Sequence, residues 1–455
     1  NLGNFYRMSN MYKNIKETKE INILALGGSI TAGGYFENFK KLLLNKNKNK
    51  DKDKDKDTAI DIDIDINKVN IYNHGHGATE IIYTLFCIEI EYYKPDLILI
   101  DFSVNDHAHP KLMDALIRKA LLIGTGAGSG SSSRNLPVVA MVNLWVQPSC
   151  PTTKYLTHGQ YYNLPVINLC PAVDLCYGKA HLPKWRWSEY SLDDGVHPWG
   201  KNGVQFIGEI LYSWFKRGYH ITMPTDYDLH SSVTSLSTST ITNELELPPP
   251  LYGSHIGKCT RCDALAGDSS GVLKPIGTTK GFVEKKRVKF GFGGFNPNDG
   301  TDTGANPLAV TGSSSGSSSG SGSSIREGAT KSFKISWQAQ TPGDHITFNF
   351  YGTSVSIAMW QRRDGMGILN AIVDDNPLLK TSASGFFKGF TWAMEKNNTG
   401  RSEVIPLFEG LDDKMHNITF TISDIPANTW VKGHLCQIFA LLSSSDNSKN
   451  CIKKG

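Results

Sequence analysis

The stretch INILALGGSIT, residues 21–31, is an apolar run that ends in two glycines and a serine and leads into a threonine. Four further apolar runs follow in the first half of the chain, at Val69–Tyr72, Asp96–Phe102, Leu136–Val146 and Pro165–Leu169. Helix-like stretches separate these runs, and the last of them, Lys201–Arg217, repeats its apolar residues with the helical period. Strands rich in valine, isoleucine and leucine that alternate with helices are typical of a parallel sheet covered on both faces. Residues 15–222 are therefore predicted to form an α/β domain.

The second half of the chain has a different pattern. Residues 223–270 contain a Ser/Thr-rich stretch and the run Pro248-Pro249-Pro250, and we interpret them as a linker. Residues 271–443 consist of short alternating apolar segments that are separated by turns rich in Gly, Pro, Asn and Asp. This pattern predicts an antiparallel β-sandwich domain.

Two low-complexity segments interrupt these domains. Residues 45–66 hold six Lys and seven Asp, and we interpret them as a solvated insertion in the first domain. Their IDIDIDI part lacks the glycine turn of known calcium loops, so a calcium site there is the lesser alternative. Residues 312–324 are thirteen consecutive Gly and Ser residues, which predict a disordered loop within the second domain.

The composition excludes several classes of protein. Lys and Arg exceed Asp and Glu by only four, which gives no basis for binding to nucleic acid or to a membrane surface. The longest purely apolar runs are about as long as a strand, so the sequence predicts no membrane span. Hydrophobic residues make up 39% of the chain, which is enough to build folded cores.

The cysteines and the glycosylation sequons bear on the compartment. The chain has eight cysteines, and Cys259 and Cys262 form a CxxC pair. Structural zinc would need two more ligands at a comparable spacing, and because no second CxxC exists, a disulfide or free thiols are favoured over zinc. Sequons occur at Asn397 and Asn417. Together with the even cysteine count they favour a secreted or secretory-pathway protein.

Polar motifs follow the apolar runs of the first domain. GGSIT (27–31), NHGHGAT (73–79) and SVND (103–106) each come directly after a predicted strand, and DDGVHP (193–198) precedes the last helix. In a parallel sheet the loops after the strands gather at one edge, which is where ligands bind. These motifs bring to that edge a hydroxyl, backbone amides, a side-chain amide, an imidazole and a carboxylate.

This set of groups suits acyl transfer. A serine hydroxyl becomes a good nucleophile when a base takes its proton, and His197 can do this for Ser29. Asp194, three residues before the histidine, can orient the imidazole and stabilise its charged form. The backbone N–H groups of Ser29 and Gly77 and the side-chain amide of Asn105 can form an oxyanion hole. We expect the Ser29 hydroxyl to be exposed in a cleft.

The four motifs resemble, in their order and positions, the four sequence blocks of the SGNH (GDSL-like) hydrolase superfamily. The resemblance covers about residues 20–220 and implies a flavodoxin-like three-layer α/β/α sandwich with the strand order 2-1-3-4-5. It also implies that Ser29 is the nucleophile, His197 the base and Asp194 its orienting carboxylate, with Gly77 and Asn105 in the oxyanion hole. The second half resembles the jelly-roll or galactose-binding-like modules that accompany SGNH carbohydrate esterases. This resemblance rests on the pattern of short strands and turns, without a shared motif.

Two positions depart from the family pattern. Gly28 stands where the family's Gly-Asp-Ser has an aspartate, and Ser103 stands where its Gly-x-Asn-Asp begins with glycine. The missing aspartate is not a member of the triad, so its absence does not by itself argue for an inactive protein.

Several of these residues have alternative interpretations. A serine after a strand is commonly a helix N-cap, and GGSITAGG fits neither of the glycine-rich nucleotide-binding motifs. The pairs His74/His76 and His107/His109 could hold a metal ion, although lining the cleft or bonding locally is the commoner role.

The surroundings of the predicted base also leave alternatives. Asp193 competes with Asp194 as the partner of His197, although the spacing favours Asp194. The nearby Trp185, Trp187 and Trp199 suit either stacking on sugar rings or ordinary packing. The tryptophans of the second half are more commonly core residues, and they are Trp337, Trp360, Trp392 and Trp430.

The sequence therefore predicts a serine esterase without a metal or another cofactor. Its substrate is expected to be an acylated carbohydrate or another small ester, with O-acetyl as the default acyl group. One alternative is a carbohydrate-binding or adhesion protein with an inert hydrolase domain, and another is an O-acyltransferase with the same triad. The β-sandwich is expected to bring a polymeric substrate near the cleft or to wall one side of it.

Overall fold

The computed structural model divides the chain into unit 1, Asn1–Ile256, and unit 2, Gly257–Gly455. The residues that it describes are 5–45, 66–75, 81–103, 110–123, 136–144, 155–169, 200–223, 247–252, 259–264, 271–286, 335–362, 365–385, 401–427 and 433–445. The predicted insertion, apart from its two end residues, and the predicted Gly/Ser loop 312–324 lie outside the described residues.

Unit 1 is built on the predicted parallel sheet. Within the described residues the sheet has five strands in the order β2-β1-β3-β4-β5, which confirms the predicted order. The strands are β1 (Glu20–Gly27), β2 (Lys68–Gly75), β3 (Leu97–Asp101), β4 (Val138–Asn143) and β5 (Val166–Asn168). Every residue of β3 and β4 is buried, as expected for strands that are covered on both faces. Gly27, Gly75 and Asp101 are in register at the carboxyl edge of the sheet.

Helices cover the sheet on both faces. They are α1 (Phe5–Thr18), α2 (Ser29–Ala32), α3 (Tyr35–Asn45), α4 (Ile81–Cys87), α5 (Pro110–Leu121), α6 (Leu156–Tyr161) and α7 (Gly200–Thr222). Helices α1, α3 and α7 share one core with alternate residues of β1, namely Ile21, Ile23 and Ala25. Helices α4 and α5 pack against each other and against β1 and β4 on the opposite face. The predicted three-layer α/β/α arrangement is confirmed.

Helix α1 begins ahead of residue 15, where the sequence placed the start of the domain. The Arg7 guanidinium donates to the Pro137 carbonyl just before β4, at 3.1 Å, and the Asn14 amide donates to Asp96 just before β3, at 2.9 Å. Burial lowers the pKa of Arg7 to about 10. Helix α1 therefore lies along the amino edge of the sheet and belongs to the core of unit 1.

In the described part of unit 2, strands form two sheets that share one apolar core. The strands are β6 (Cys259–Ala264), β7 (Gly271–Val272), β8 (Val283–Lys286), β9 (Ile335–Ala339), β10 (His345–Gly352), β11 (Ser354–Gln361), β12 (Gly367–Val373), β13 (Lys380–Ser384), β14 (Arg401–Phe408), β15 (Lys414–Pro426) and β16 (Cys436–Ser445).

One sheet has the order β10-β15-β12-β13 and the other β14-β11-β16-β6-β7, with β9 joining β16 to β8. Alternate inward residues such as Phe348, Ile357 and Phe420 fill the core. The described strand pairs are antiparallel except for β6 with β7, and the predicted β-sandwich is confirmed.

Two parts of the predicted linker 223–270 belong to the units themselves. Strand β6 pairs with β16 in the seven-stranded sheet of the described unit 2 residues. Residues 247–252, which we call the proline strap, pack on unit 1, where Tyr161 donates to the Pro249 carbonyl at 2.8 Å. Proline has no backbone N–H but keeps its carbonyl as an acceptor, which explains how a proline run can be bonded to a helix surface.

The described cysteines include disulfide-bonded and free forms. Cys87 of α4 and Cys262 of β6 are disulfide-bonded, whereas Cys436 is a buried free thiol. Burial raises the pKa of the Cys436 thiol to about 12. A disulfide sulfur is not available as a thiolate ligand, so Cys262 does not contribute to a zinc site.

None of the helices in the described part of the chain combines the length and the apolar character that crossing a membrane requires.

Candidate active site

Ser29 lies at the carboxyl edge of the parallel sheet, on the turn between β1 and α2. The Gly28 N–H donates to the Asp101 carbonyl at 3.3 Å, and the Ala32 N–H donates to the Gly28 carbonyl at 3.1 Å. Ser29 therefore begins a single helical turn directly after the strand. Only 9% of the residue is exposed, so Ser29 is more buried than the exposed hydroxyl predicted from the sequence.

Two glycines let the neighbouring strands approach this turn. A Cβ atom at Gly27 would collide with Thr31 and with the Asp101 carbonyl, and one at Gly75 would collide with the backbone of Thr31 and Ala32. Glycine is therefore required at both strand ends, because any side chain would push β3 or β2 away from α2. The close packing fixes the position of the turn that carries Ser29.

A buried carboxylate supports the Ser29 turn from below. Asp101 ends β3, and its Oδ2 accepts hydrogen bonds from the Thr31 hydroxyl and the Tyr35 hydroxyl, both at 2.8 Å. Thr31 belongs to α2 and Tyr35 begins α3, so Asp101 ties β3 to both helices. Asp101 is not among the site residues predicted from the sequence. The available signal was a lone carboxylate at the end of the apolar run DLILIDF, where a buried charge needs hydrogen-bond partners.

The burial of this carboxylate changes its protonation. Loss of solvation raises the pKa of Asp101 to about 7, against a partial opposing effect of the hydrogen bonds from Thr31 and Tyr35. Burial, together with the neighbouring Asp101 carboxylate, raises the pKa of Tyr35 well above its usual value. Near neutral pH, Asp101 therefore exchanges between its neutral and charged forms, while Tyr35 keeps its proton.

Replacing Asp101 with asparagine should remove a pH dependence from stability. The folded pKa of about 7 exceeds the ordinary value of 3.8, so the contribution of Asp101 to stability is fully present below about pH 4 and is lost as the pH rises to about 7. The loss is at most about 4 kcal/mol. An asparagine oxygen can accept from the same two hydroxyls without ionising. We therefore compare the urea midpoints of Asp101→Asn and the wild type. The midpoint of the variant minus that of the wild type is expected to be larger above pH 7 than at pH 4.

Urea unfolding of both full-length proteins from pH 4 to pH 8 measures this difference. Asp375→Asn, a substitution at an exposed aspartate of unit 2, serves as the control that should follow the wild type. Parallel pH curves for the wild type and Asp101→Asn would contradict the proposed protonation.

Asn73 ties the end of β2 to the same turn. Its side-chain amide donates to the Thr31 carbonyl at 2.9 Å, and its side-chain oxygen accepts from the Gly75 N–H at 2.8 Å. These bonds hold the first part of the NHGHGAT motif against α2. The chain enters the segment that contains Gly77 directly after this fixed point.

The structure bears on the predicted metal alternative at one residue of the His-x-His pairs. His74 is buried at the end of β2, and its ring lies 4.7 Å from the ring of Tyr93. His76, His107 and His109 lie outside the described residues. Within the described ranges, no group of three or more His, Cys, Asp or Glu side chains is placed to hold a metal ion.

The exit of β3 is also held by side chains. The Ser103 hydroxyl accepts the Leu144 N–H at 2.9 Å, and the Tyr155 hydroxyl donates to the Phe102 carbonyl at 3.3 Å. Ser103 is the first residue of the SVND motif and stands where the family has glycine. Its hydroxyl gives this exit a bond to β4 that glycine could not make.

Asn143 places an unused amide at the same edge. It ends β4 and is fully buried, and no partner among the described residues bonds to its side-chain nitrogen or oxygen. Unpaired buried amides are uncommon in folded proteins, because the lost solvation costs free energy. Asn143 is not among the site residues predicted from the sequence.

The remaining predicted site residues lie outside the described part of the chain. They are Gly77, Asn105, Asp193, Asp194 and His197. The structure thus places the predicted nucleophile and the entries to the segments that carry the other groups. The triad and the oxyanion hole themselves stay predictions.

Comparison with known proteins identifies a structural counterpart of the whole chain. No protein-family model and no curated protein matches its sequence. Among solved structures, a two-domain esterase (CEX) active on acetylated mannans superposes with a TM-score of 0.61 over 98% of this chain and 97% of its own. The chain has the two-domain fold of that esterase. The same values are found for this esterase co-crystallised with mannopentaose, and the sequence identity is 16% in both cases.

The two-domain esterase fold agrees with the architecture described above, an α/β unit followed by a β-sandwich. At 16% identity the likeness establishes the fold and leaves the chemistry to be argued from the residues. A family two carbohydrate esterase from Cellvibrio japonicus matches only 24% of this chain at 16% identity, and its TM-score of 0.17 is too low to show a shared fold.

Proposed function

We propose that the protein is a serine esterase of the SGNH type that removes O-acetyl groups from a carbohydrate. The observation that carries this proposal is the position of Ser29. It lies on a tight turn at the carboxyl edge of a parallel sheet, between the ends of β2 and β3. The segments with Gly77 and Asn105 follow those two strand ends in sequence, and both strand ends lie next to the Ser29 turn.

The direction of α7 supports the predicted position of the base. In its first half, Gly208 packs against Asn38 in the first turns of α3. In its second half, the Phe215 carbonyl accepts a hydrogen bond from Tyr12 of α1 at 2.6 Å. Because α1 lies along the amino edge of the sheet, α7 runs from the carboxyl edge to the amino edge. His197 precedes α7 by three residues in sequence, so this direction favours its delivery to the edge that holds Ser29.

In the proposed reaction the Ser29 oxygen attacks the carbonyl carbon of the ester, and its proton passes to His197. The Ser29 and Gly77 N–H groups and the Asn105 amide bind the oxyanion that forms. Collapse of this intermediate breaks the bond to the sugar oxygen, which takes the proton from His197 and leaves an acetyl group on Ser29. Water, activated by the same imidazole, then releases acetate. Asp194 orients the imidazole throughout.

The choice of substrate draws on the fold comparison. The esterase with the same two-domain fold is described as active on acetylated mannans. Acetylated polysaccharides are therefore the first substrates to test.

The test is acetate release by the full-length protein from acetylated mannan, acetylated xylan and p-nitrophenyl acetate. Hydrolysis of at least one acetylated polysaccharide is the expected result. Acetyl transfer to an added oligosaccharide in preference to water would favour the O-acyltransferase alternative. Binding to polysaccharide without release from any ester would contradict the proposal and favour the inert binding protein.

Removing unit 2 should separate activity on small and polymeric esters. Unit 1 contains Ser29 and all of the predicted site residues, whereas the sandwich has its own core. A fragment of residues 1–256, which keeps the proline strap, is expected to retain kcat on p-nitrophenyl acetate within about threefold. Its rate on acetylated mannan should fall at least about tenfold. Both rates are measured by acetate release against the full chain.

Equal losses on the two substrates would show that unit 2 supports the catalytic unit itself. Unchanged rates on both would contradict a role of the sandwich in substrate delivery. A shorter fragment that ends at residue 225 lacks the strap, and it should unfold at a lower temperature than the 1–256 fragment.

The proposal includes passage through the secretory pathway. The disulfide bonds at Cys87 and Cys262 are typical of proteins that fold in an oxidising compartment. The Asn417 sequon lies on β15, where the asparagine is exposed, so its side chain is accessible to glycosylation. The Asn397 sequon lies outside the described residues.

A further inference from the structure

We propose that Tyr155 and His158 are positioning residues, which hold Phe102 and Pro110, the bonded residues on either side of segment 104–109. This segment carries Asn105, so the inference rests on the proposed function. Tyr155 directly precedes α6 and His158 lies within it. Neither residue is part of the predicted triad or oxyanion hole.

Tyr155 holds the beginning of the segment. Its hydroxyl donates to the Phe102 carbonyl at 3.3 Å, and only 2% of the residue is exposed. The next residue, Ser103, is held separately through its bond to the Leu144 N–H. The last two residues before segment 104–109 are thus bonded to the start of α6 and to the end of β4.

His158 holds the end of the segment. Its Nε2 lies 2.9 Å from the carbonyl oxygen of Pro110, the first residue of α5. A carbonyl only accepts, so Nε2 carries the hydrogen and donates it. The residue is 1% exposed. This burial and the use of Nε2 as a donor distinguish His158 from a base that takes a proton from Ser29.

The two anchors are neighbours, because Tyr155 directly precedes α6 and His158 lies within it. Tyr155 and His158 are three residues apart, which places them on the same side of the helix, and their rings are 6.1 Å apart. The Phe102 and Pro110 carbonyls, which flank residues 104–109, therefore bond to Tyr155 just before α6 and to His158 within it. An oxyanion donor works only if it points at the developing charge, and a misplacement of about 1 Å can cost roughly 10² in rate. On the proposed function, the two bonds fix the residues that flank the segment carrying Asn105.

The proline strap supports α6 on this side. The ring of Tyr252 lies 5.4 Å from that of His158. The Leu251 N–H and the Tyr162 hydroxyl both donate to Asp114 of α5. The strap thus packs on the helix that carries the anchors and links it to α5.

Tyr155→Phe tests the proposal in the full-length protein, because it removes the hydroxyl and keeps the ring. We expect kcat on p-nitrophenyl acetate to fall about tenfold, with KM within about twofold. Tyr161→Phe is the matched control, since it removes from the same helix a hydroxyl that donates to Pro249 of the strap. Because it weakens a strap contact and leaves both anchor bonds intact, it should lower kcat clearly less than Tyr155→Phe does.

The decisive readout is a double-mutant cycle with Asn105→Ala. That variant alone is expected to lose roughly 10² to 10³ in kcat. If Tyr155 acts through Asn105, adding Tyr155→Phe to Asn105→Ala lowers kcat no further. Multiplying losses, or an equal loss in Tyr161→Phe, would overturn the proposal.

His158 gives a second, independent pair of variants. The amide of His158→Gln can still donate to Pro110, whereas His158→Leu cannot. The first is expected to retain most of kcat and the second to lose about tenfold. Equal kcat in both variants would overturn the role of His158. This test does not depend on Tyr155→Phe and holds even if that variant fails to fold. If all of these variants match the wild type while Ser29→Ala is inactive, the positioning role fails and the proposed function stands. A fully active Ser29→Ala contradicts the proposed function instead.

Discussion

Ser29→Ala is expected to lower kcat for acetyl ester hydrolysis by roughly 10⁶, the loss found when a serine nucleophile is removed. The change deletes one oxygen from a turn whose backbone is held by Gly28, Asp101 and Ala32. The fold should therefore survive, with the thermal midpoint within a few degrees of the wild type. Steady-state rates with p-nitrophenyl acetate and a thermal unfolding curve measure the two effects separately.

Ser213→Ala is the control for this experiment. Ser213 lies on the exposed side of α7 in the same unit. It should match the wild type in both kcat and thermal midpoint. A Ser29→Ala protein that is folded and retains full activity would place the chemistry elsewhere in the chain.

The second large effect concerns the aspartate that partners His197. Asp194→Ala is expected to lower kcat by roughly 10⁴, because the imidazole loses the carboxylate that sets its tautomer and stabilises its charge. Asp193→Ala is the matched control in the adjacent position, and its kcat should stay within a few-fold of the wild type. Kinetics of both variants with p-nitrophenyl acetate compare them directly.

The opposite order of the two losses would assign the role to Asp193. Small losses in both variants would contradict a Ser-His-Asp mechanism that uses this loop. Either result leaves the prediction for Ser29 to be judged on its own measurement.

The parallel sheet of unit 1 could be predicted from the sequence because each strand is marked by its own short apolar run. Apolar runs such as LILID of β3 have no polar face, which occurs only when a strand is covered on both sides. The turn residues at the carboxyl ends then locate the edge where Ser29 lies. The strand order followed from the resemblance, and the structure confirms it.

The hydrogen bonds that support the site could not be predicted, because their partners are far apart in the chain. Asp101 meets Thr31 and Tyr35 across about 70 residues, and Tyr155 meets Phe102 across 53. No local pattern encodes such contacts. Their residues look in sequence like the last polar residue of a strand or an aromatic residue in a loop.

Strand β6 and the proline strap, which lie within residues 223–270, could not be recognised from the sequence for a related reason. Strand β6, with the sequence CTRCDA, has no Val or Ile and therefore lacks the usual strand signal. It is a strand because it pairs with the fully buried β16, which lies about 180 residues later. The proline strap reads as a linker by composition, and only its contacts with Asp114 and Tyr161 show that it belongs to unit 1.

The central claim is that Ser29 is an activated nucleophile, and covalent labelling tests it most directly. The full-length protein is incubated with a fluorophosphonate, and the site of modification is located by mass spectrometry of its peptides. We predict one adduct per chain on the peptide that contains Ser29, and none in Ser29→Ala. An unlabelled wild-type protein that nevertheless hydrolyses acetyl esters, or an adduct on another serine, would contradict the claim.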